Sequence, residues 1–147
     1  MEVARVYSAK DIATYVVWRE NMCGRGVNNL RLQKLLYFIQ AQFLVDTGEP
    51  CFDDEMQAWD IGPVVPSVYH EYKYFGSSSI PLRAVTTFIL GGCGDVDLID
   101  HILDRCAEYR TSDLMYITQR QTPWIEARRR YPECKMLPRD ILDFFKE

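Results

Sequence analysis

The sequence predicts a mainly α-helical, compact single-domain bundle around one central helix, with room for a short β-ribbon. Apolar residues recur at helical spacing in most stretches between turn signals. Residues 29–46 carry an apolar centre of Leu32, Leu35, Leu36, Ile39 and Phe43. Leu30, Tyr37, Phe38, Leu44 and Val45 continue that surface around the other side, as expected of a helix covered on several faces. β-Branched runs are few and short. With 147 residues, 48% hydrophobic and 26% charged, one core serves the whole chain, and 1–147 is read as a single domain without linker, repeat or low-complexity run.

The elements follow in order. Ser8 stands three residues before Asp11, a variant capping box that opens a helix from about Ala9 to Met22. Its apolar pairs are Ile12, Ala13, Val16 and Val17, and Gly24-Arg25-Gly26 ends it. Asn28 or Asn29 caps the central helix, which is expected to run to Asp46 and stop at Thr47-Gly48. Around Met56, Ala58 and Asp60 a partial alternation allows a short strand. Gly62-Pro63 reads as a rigid turn, and Pro66 opens a helix with Val68, Tyr72 and Phe75 on one face, ending at Gly76.

Val85-Thr86-Thr87-Phe88-Ile89-Leu90 reads as a second strand or buried extended segment, able to pair with the first as a ribbon. Residues 97–109 form an amphipathic helix with Val96, Ile99, Ile102, Leu103 and Cys106 toward the core. Ser112 is expected to cap a short helix through Gln119. Thr122-Pro123 starts another that carries Trp124 and Ala127, and Pro138 opens the last, around Ile141, Leu142 and Phe145.

Composition limits the function. A net charge of -4 argues against a chain whose main task is to neutralise nucleic-acid phosphates. Five cysteines without a Cys-x2-Cys pair speak against a disulfide scaffold and a zinc ribbon. No apolar stretch approaches the ~20 residues that span a bilayer. The reading is a cytoplasmic chain with reduced thiols, no membrane, no metal and no cofactor.

Catalytic signals are weak. His70 and His101 both lie opposite the apolar stripes of their helices and are expected to be solvated or paired. A Cys/His nucleophilic pair would have to be assembled by folding from Cys23, Cys51 or Cys93 with either histidine. Gly91-Gly92-Cys93-Gly94 lacks the lysine and spacing of a phosphate loop and reads as a plain loop. Asp53-Asp54-Glu55 and Asp95-Val96-Asp97 do not fit a calcium-loop pattern and read as helix or loop ends. Arg128-Arg129-Arg130, with Lys135 and Arg139, is the basic concentration from which a DNA-binding regulator, the alternative function, would have to work.

Two segments carry a family likeness: Asn29-Leu30-Arg31-Leu32-Gln33-Lys34-Leu35-Leu36-Tyr37-Phe38 and Ala58-Trp59-Asp60-Ile61-Gly62-Pro63-Val64-Val65-Pro66-Ser67-Val68-Tyr69. In wording and order they resemble the Panacea antitoxin-domain family, which includes SocA-type antitoxins and phage-associated GepA-like proteins. The likeness extends from Tyr7-Ser8-Ala9 through Pro123-Trp124 to Asp143-Phe144-Phe145. Where many such sequences read Thr-His before the Pro-Trp element, this chain reads Thr118-Gln119, which weighs against a mechanism needing an imidazole there.

The resemblance implies a non-enzymatic antitoxin of a toxin-antitoxin system that neutralises a cognate toxin by direct binding. It also implies toxins such as small alarmone synthetase-like enzymes, and in SocA-type members delivery of the toxin to an ATP-dependent protease. Gln33, Lys34, Tyr37, Trp59, Tyr69 and Trp124 lie in or beside the family-like motifs. They are the candidates for the partner surface or for the scaffold that shapes it.

Overall fold

The computed structural model describes residues 6–82 and 93–146. Among them are seven α-helices: α1 (Ala9–Met22), α2 (Asn29–Thr47), α3 (Pro66–Tyr72), α4 (Cys93–Cys106), α5 (Thr111–Thr118), α6 (Thr122–Arg128) and α7 (Pro138–Phe145). One antiparallel sheet of β1 (Met56–Trp59), β2 (Gly62–Val64) and β3 (Lys135–Met136) accompanies them in the order β2-β1-β3. A 3-10 turn over Lys73–Phe75 follows α3.

The first two helices begin and end for the reasons read in the sequence. Ser8 Oγ accepts from the Asp11 N–H at 3.1 Å, and Asn28 Oδ1 accepts from the Arg31 N–H at 2.8 Å. Each satisfies a donor that a helix start leaves open. At the far end of α2, Gly48 takes a left-handed φ of 77° while its N–H closes on the Leu44 carbonyl.

α2 is the hub. It touches α1, α3, α4, α5, α7 and β2, and Leu32, Leu35, Leu36, Ile39 and Phe43 are all buried. A helix enclosed in this way cannot leave polar side chains unpaired, since each buried orphan costs about 1–3 kcal/mol. Asn29, Gln33, Lys34, Tyr37 and Gln40 are nonetheless buried on it.

Gln40 shows how they are satisfied. Its Oε1 accepts from the Cys51 N–H at 2.8 Å and the Phe52 N–H at 3.2 Å, while Nε2 donates to the Phe52 carbonyl at 2.9 Å. One amide thereby supplies the hydrogen bonds of a chain segment with no regular partner strand. From that segment, Tyr7 bridges to Phe52, and the Tyr7 N–H reaches the Cys51 carbonyl at 2.8 Å.

Several expectations change at their boundaries. The ribbon partner of β1 is the neighbouring Gly62–Val64 segment, read from sequence as a turn, with β3 on the other edge. Pro63 is tolerated because β2 is an edge strand. The 85–90 segment lies outside the described residues. The fourth helix starts at Cys93 and stops at Cys106 instead of running over 97–109, so Cys93-Gly94 is helical and not loop. α5 begins at Thr111, where the Asp113 carboxylate accepts from the Arg110 N–H at 3.1 Å; Ser112 is inside the helix.

The acidic clusters serve as ties. Asp54 accepts from the Ala9 N–H at 2.9 Å and from Ser67 Oγ at 2.8 Å, joining the starts of α1 and α3. Asp95 accepts from the Tyr7 hydroxyl, and Asp100 from the Tyr15 hydroxyl.

Gln40→Leu keeps the helix and its volume but strips three backbone groups of their partner. Urea unfolding is expected to show a loss of about 3 kcal/mol or more; a loss under about 1 kcal/mol would remove the tethering role given to this amide.

Candidate functional site

The β1–β2 hairpin is held from two sides. From below, α2 supplies a row of polar groups: Gln33 Oε1 accepts from the Val65 N–H at 2.8 Å, and Gln33 Nε2 donates to Asn29 Oδ1 at 2.9 Å. Asn29 Nδ2 in turn donates to the Tyr69 carbonyl at 2.9 Å. Lys34 Nζ donates to the Pro63 carbonyl at 3.2 Å, and Tyr37 donates its hydroxyl to Gln121 Oε1 at 2.6 Å.

From outside, three successive hairpin carbonyls are captured by the α5–α6 region. Arg128 Nη1 donates to the Ala58 carbonyl at 3.1 Å, Trp124 Nε1 to that of Trp59 at 3.0 Å, and Gln119 Nε2 to that of Asp60 at 2.6 Å. Arg128 also pairs with the Asp60 carboxylate at 2.7 Å. Gln119, noted in the sequence for what it is not, is here a hydrogen-bond donor that needs no ionisable ring.

Gly62 closes the hairpin at φ 102°, a conformation costly to any residue with a Cβ, and a Cβ there would lie 2.8 Å from Lys34 Cε. The lysine stem and the glycine therefore specify each other. Trp59 and Tyr69 rise beside this turn with ring centroids 5.0 Å apart, edge to face. They line an open groove of about 490 Å3 together with Arg128, Tyr131 and Glu133.

The six sequence candidates therefore divide. Gln33, Lys34 and Tyr37 are wholly buried and belong to the scaffold beneath the hairpin. Trp59, Tyr69 and Trp124 are half-buried and present ring surface to solvent. Tyr131, 81% exposed in the groove lining, was not legible in the sequence because no periodicity or motif marks the loop that carries it.

Among the described side chains, the other sequence candidates assemble nothing. His70 and His101 are exposed, and neither is hydrogen-bonded to Cys23, Cys51, Cys106 or Cys134; the side chain of Cys93 lies outside those described. Burial pushes the Cys51 thiol far up and holds Cys106 at about 11, so neither is a ready thiolate. The three consecutive arginines are all engaged: Arg128 as above, Arg129 with Glu126 at 3.0 Å, and Arg130 with Asp140 at 2.8 Å. Lys135 pairs with Glu55 at 3.2 Å. Arg139, 4.0 Å from Asp140, and Arg129 remain largely exposed, so each member of the basic run has an acidic neighbour while part of it still faces solvent. No helix among the described residues is long and apolar enough to cross a membrane.

Comparison with known proteins bears out the resemblance to the Panacea/SocA-type family. Residues 32–88 match the family described as Antitoxin SocA-like, Panacea domain. Over 66 residues the chain is 46% identical to Antitoxin SocA of Caulobacter vibrioides (strain NA1000 / CB15N). That stretch is 45% of this chain and 35% of the relative, so the alignment spans about a third of the relative's length. No solved structure matches the chain. The family match takes in most of α2, the hairpin and α3, whereas the outer clamp of Gln119, Trp124 and Arg128 lies beyond it.

Burial lowers the Lys34 amine from its ordinary 10.5 to about 7. Between those two values the unfolded chain binds a proton that the folded chain lacks, so this group's penalty on folding is complete below about pH 7 and fades as pH rises toward 10.5. Lys34→Met is expected to stabilise the fold at pH 7 by about 1–4 kcal/mol. The gap to wild type should narrow at higher pH, with the buried thiols and tyrosines cancelling in the difference. A gap independent of pH between 6 and 10, measured by urea unfolding, would mean that Lys34 stays charged through a route not seen here.

Proposed function

We propose that this chain is an antitoxin that holds a cognate protein toxin inactive by direct binding, without chemistry of its own. The observation that carries this reading is the match to Antitoxin SocA together with what the matched region builds. That region supplies a rigid hairpin displaying Trp59 and Tyr69 beside a groove.

Aromatic side chains combine large contact area with few rotors to freeze, which is why they dominate binding hot spots. Because the hairpin backbone is fixed from both faces, the rings are held in place before a partner arrives, and little ordering cost is left for association. An interface of ordinary size, about 1,600 Å2 in total, would extend well beyond the groove and cover a toxin's active site or lock it in an inactive shape. The partner class includes small alarmone synthetase-like enzymes.

Delivery to an ATP-dependent protease is a separate consequence of the same binding. It is distinguished by the toxin's half-life, which falls on co-expression under delivery and does not under occlusion alone.

The test is growth of a host expressing the reading frame beside this gene, with and without this chain, joined to co-purification of the two products. Rescue with a stable complex is the expected result; a harmless neighbour and no bound partner would sink the proposal. Within a complex, Tyr69→Ala and Tyr131→Ala should each weaken binding by about tenfold or more while leaving the melting temperature nearly unchanged. Unaltered affinity in both variants would move the interface away from the groove.

A further inference from the structure

Arg25, Arg31 and Arg110 are far apart in the sequence, yet they line one open cavity of about 350 Å3 with Glu20, Tyr109 and Thr111. The three guanidiniums are not equivalent. Arg25 is neutralised, with Nε 2.5 Å from Glu20 Oε2 and Nη2 3.1 Å from Asp104 Oδ1.

Arg31 donates only to neutral oxygens: Nη2 to the Cys106 carbonyl at 2.7 Å and Nη1 to Thr111 Oγ1 at 3.3 Å. Arg110 is exposed, and its guanidinium has no acidic partner among the described residues. Of the acids on these elements, Glu20 and Asp104 are paired with Arg25, Asp113 accepts from the Arg110 N–H, and neither Asp113 nor the exposed Glu108 forms an ion pair with Arg31 or Arg110. In a chain of net charge -4, two guanidiniums without an ion pair thus line one concavity.

Guanidinium groups are planar forks suited to paired oxygens, and they are less strongly hydrated than ammonium groups. The Tyr109 ring, 46% exposed at the cavity wall, offers a flat apolar surface next to them. The size is that of a small-molecule pocket. We propose that this cavity binds the phosphate group of a small phosphorylated ligand. Arg31 and Arg110 hold the oxyanion, with Tyr109 as the wall for whatever the phosphate carries. Free phosphate and a nucleotide share this chemistry. The site uses none of the groove residues and stands or falls independently of toxin binding.

Calorimetric titration of the full chain with inorganic phosphate, AMP and ATP at constant ionic strength tests it. Saturable binding with Kd of about 1 mM or tighter is expected. AMP binding more tightly than phosphate identifies a nucleotide site, whereas equal affinities identify a site for the bare oxyanion. Arg110→Ala removes a side chain without a partner in the fold and should weaken binding about tenfold. Arg31→Lys, which keeps the charge but loses the fork, should weaken it too. Arg129→Ala, which alters an exposed arginine outside the cavity, should leave binding unchanged. Absence of saturation by all three ligands up to about 10 mM, or equal weakening by Arg129→Ala, would overturn the proposal.

Discussion

Everything in this fold depends on the polar side chains of an enclosed helix finding partners. α2 is covered on nearly every side, yet it carries Asn29, Gln33, Lys34, Tyr37 and Gln40 in its buried surface. At about 100° per residue, Asn29, Gln33 and Gln40 fall close to one line along the helix. That line faces the chain at 51–52, the residue that precedes α3, and α3 itself. Each amide answers backbone groups at 51–52, 65 or 69 that would otherwise be buried without a bond. Apolar packing alone would leave those segments free to slide; the amides set their register against the helix.

Lys34 is the exception in this row, because a single carbonyl contact does not compensate for a buried ammonium. The cost is tolerable if the amine is neutral, and its stem then acts as apolar filler under Gly62. The hairpin above it is seated on a side chain whose charged form burial disfavours, while the outer face is tied by donors that carry charge or polarity. Arg128 accomplishes two of these ties, which explains why the arginine run is poor in free cations despite its appearance in the sequence.

The extent to which this was legible follows the range of the interactions. Helix starts at Ser8, Asn28, Pro66, Thr122 and Pro138 depend on residues within one turn, and they are where the caps and prolines predict. The crowded faces of α2 announced its central place. What escaped was long-range: Gly62-Pro63 looks like a turn until β1 is laid beside it, and β3 is two residues long. Gln119 reads as a lost imidazole until the Asp60 carbonyl is found 2.6 Å away. Gln33, Lys34 and Tyr37 carry the family likeness, yet burial makes them supports for Trp59 and Tyr69.

The same logic explains how a basic cavity arises in an acidic chain. Arg25 follows α1, Arg31 opens α2, and Arg110 precedes α5, so no window of sequence contains two of the free charges. They converge because the end of α4 and the start of α5 pack against the beginning of α2, where Arg31 bonds the Cys106 carbonyl and the Thr111 hydroxyl. α5, about 12 Å long by its eight residues, then runs from that cavity to Gln119 at the hairpin. One short helix therefore joins the arginine cavity to the turn that holds the aromatic face. Its position is fixed at one end by a guanidinium and at the other by an amide, so a shift of α5 must disturb hydrogen bonds at both places.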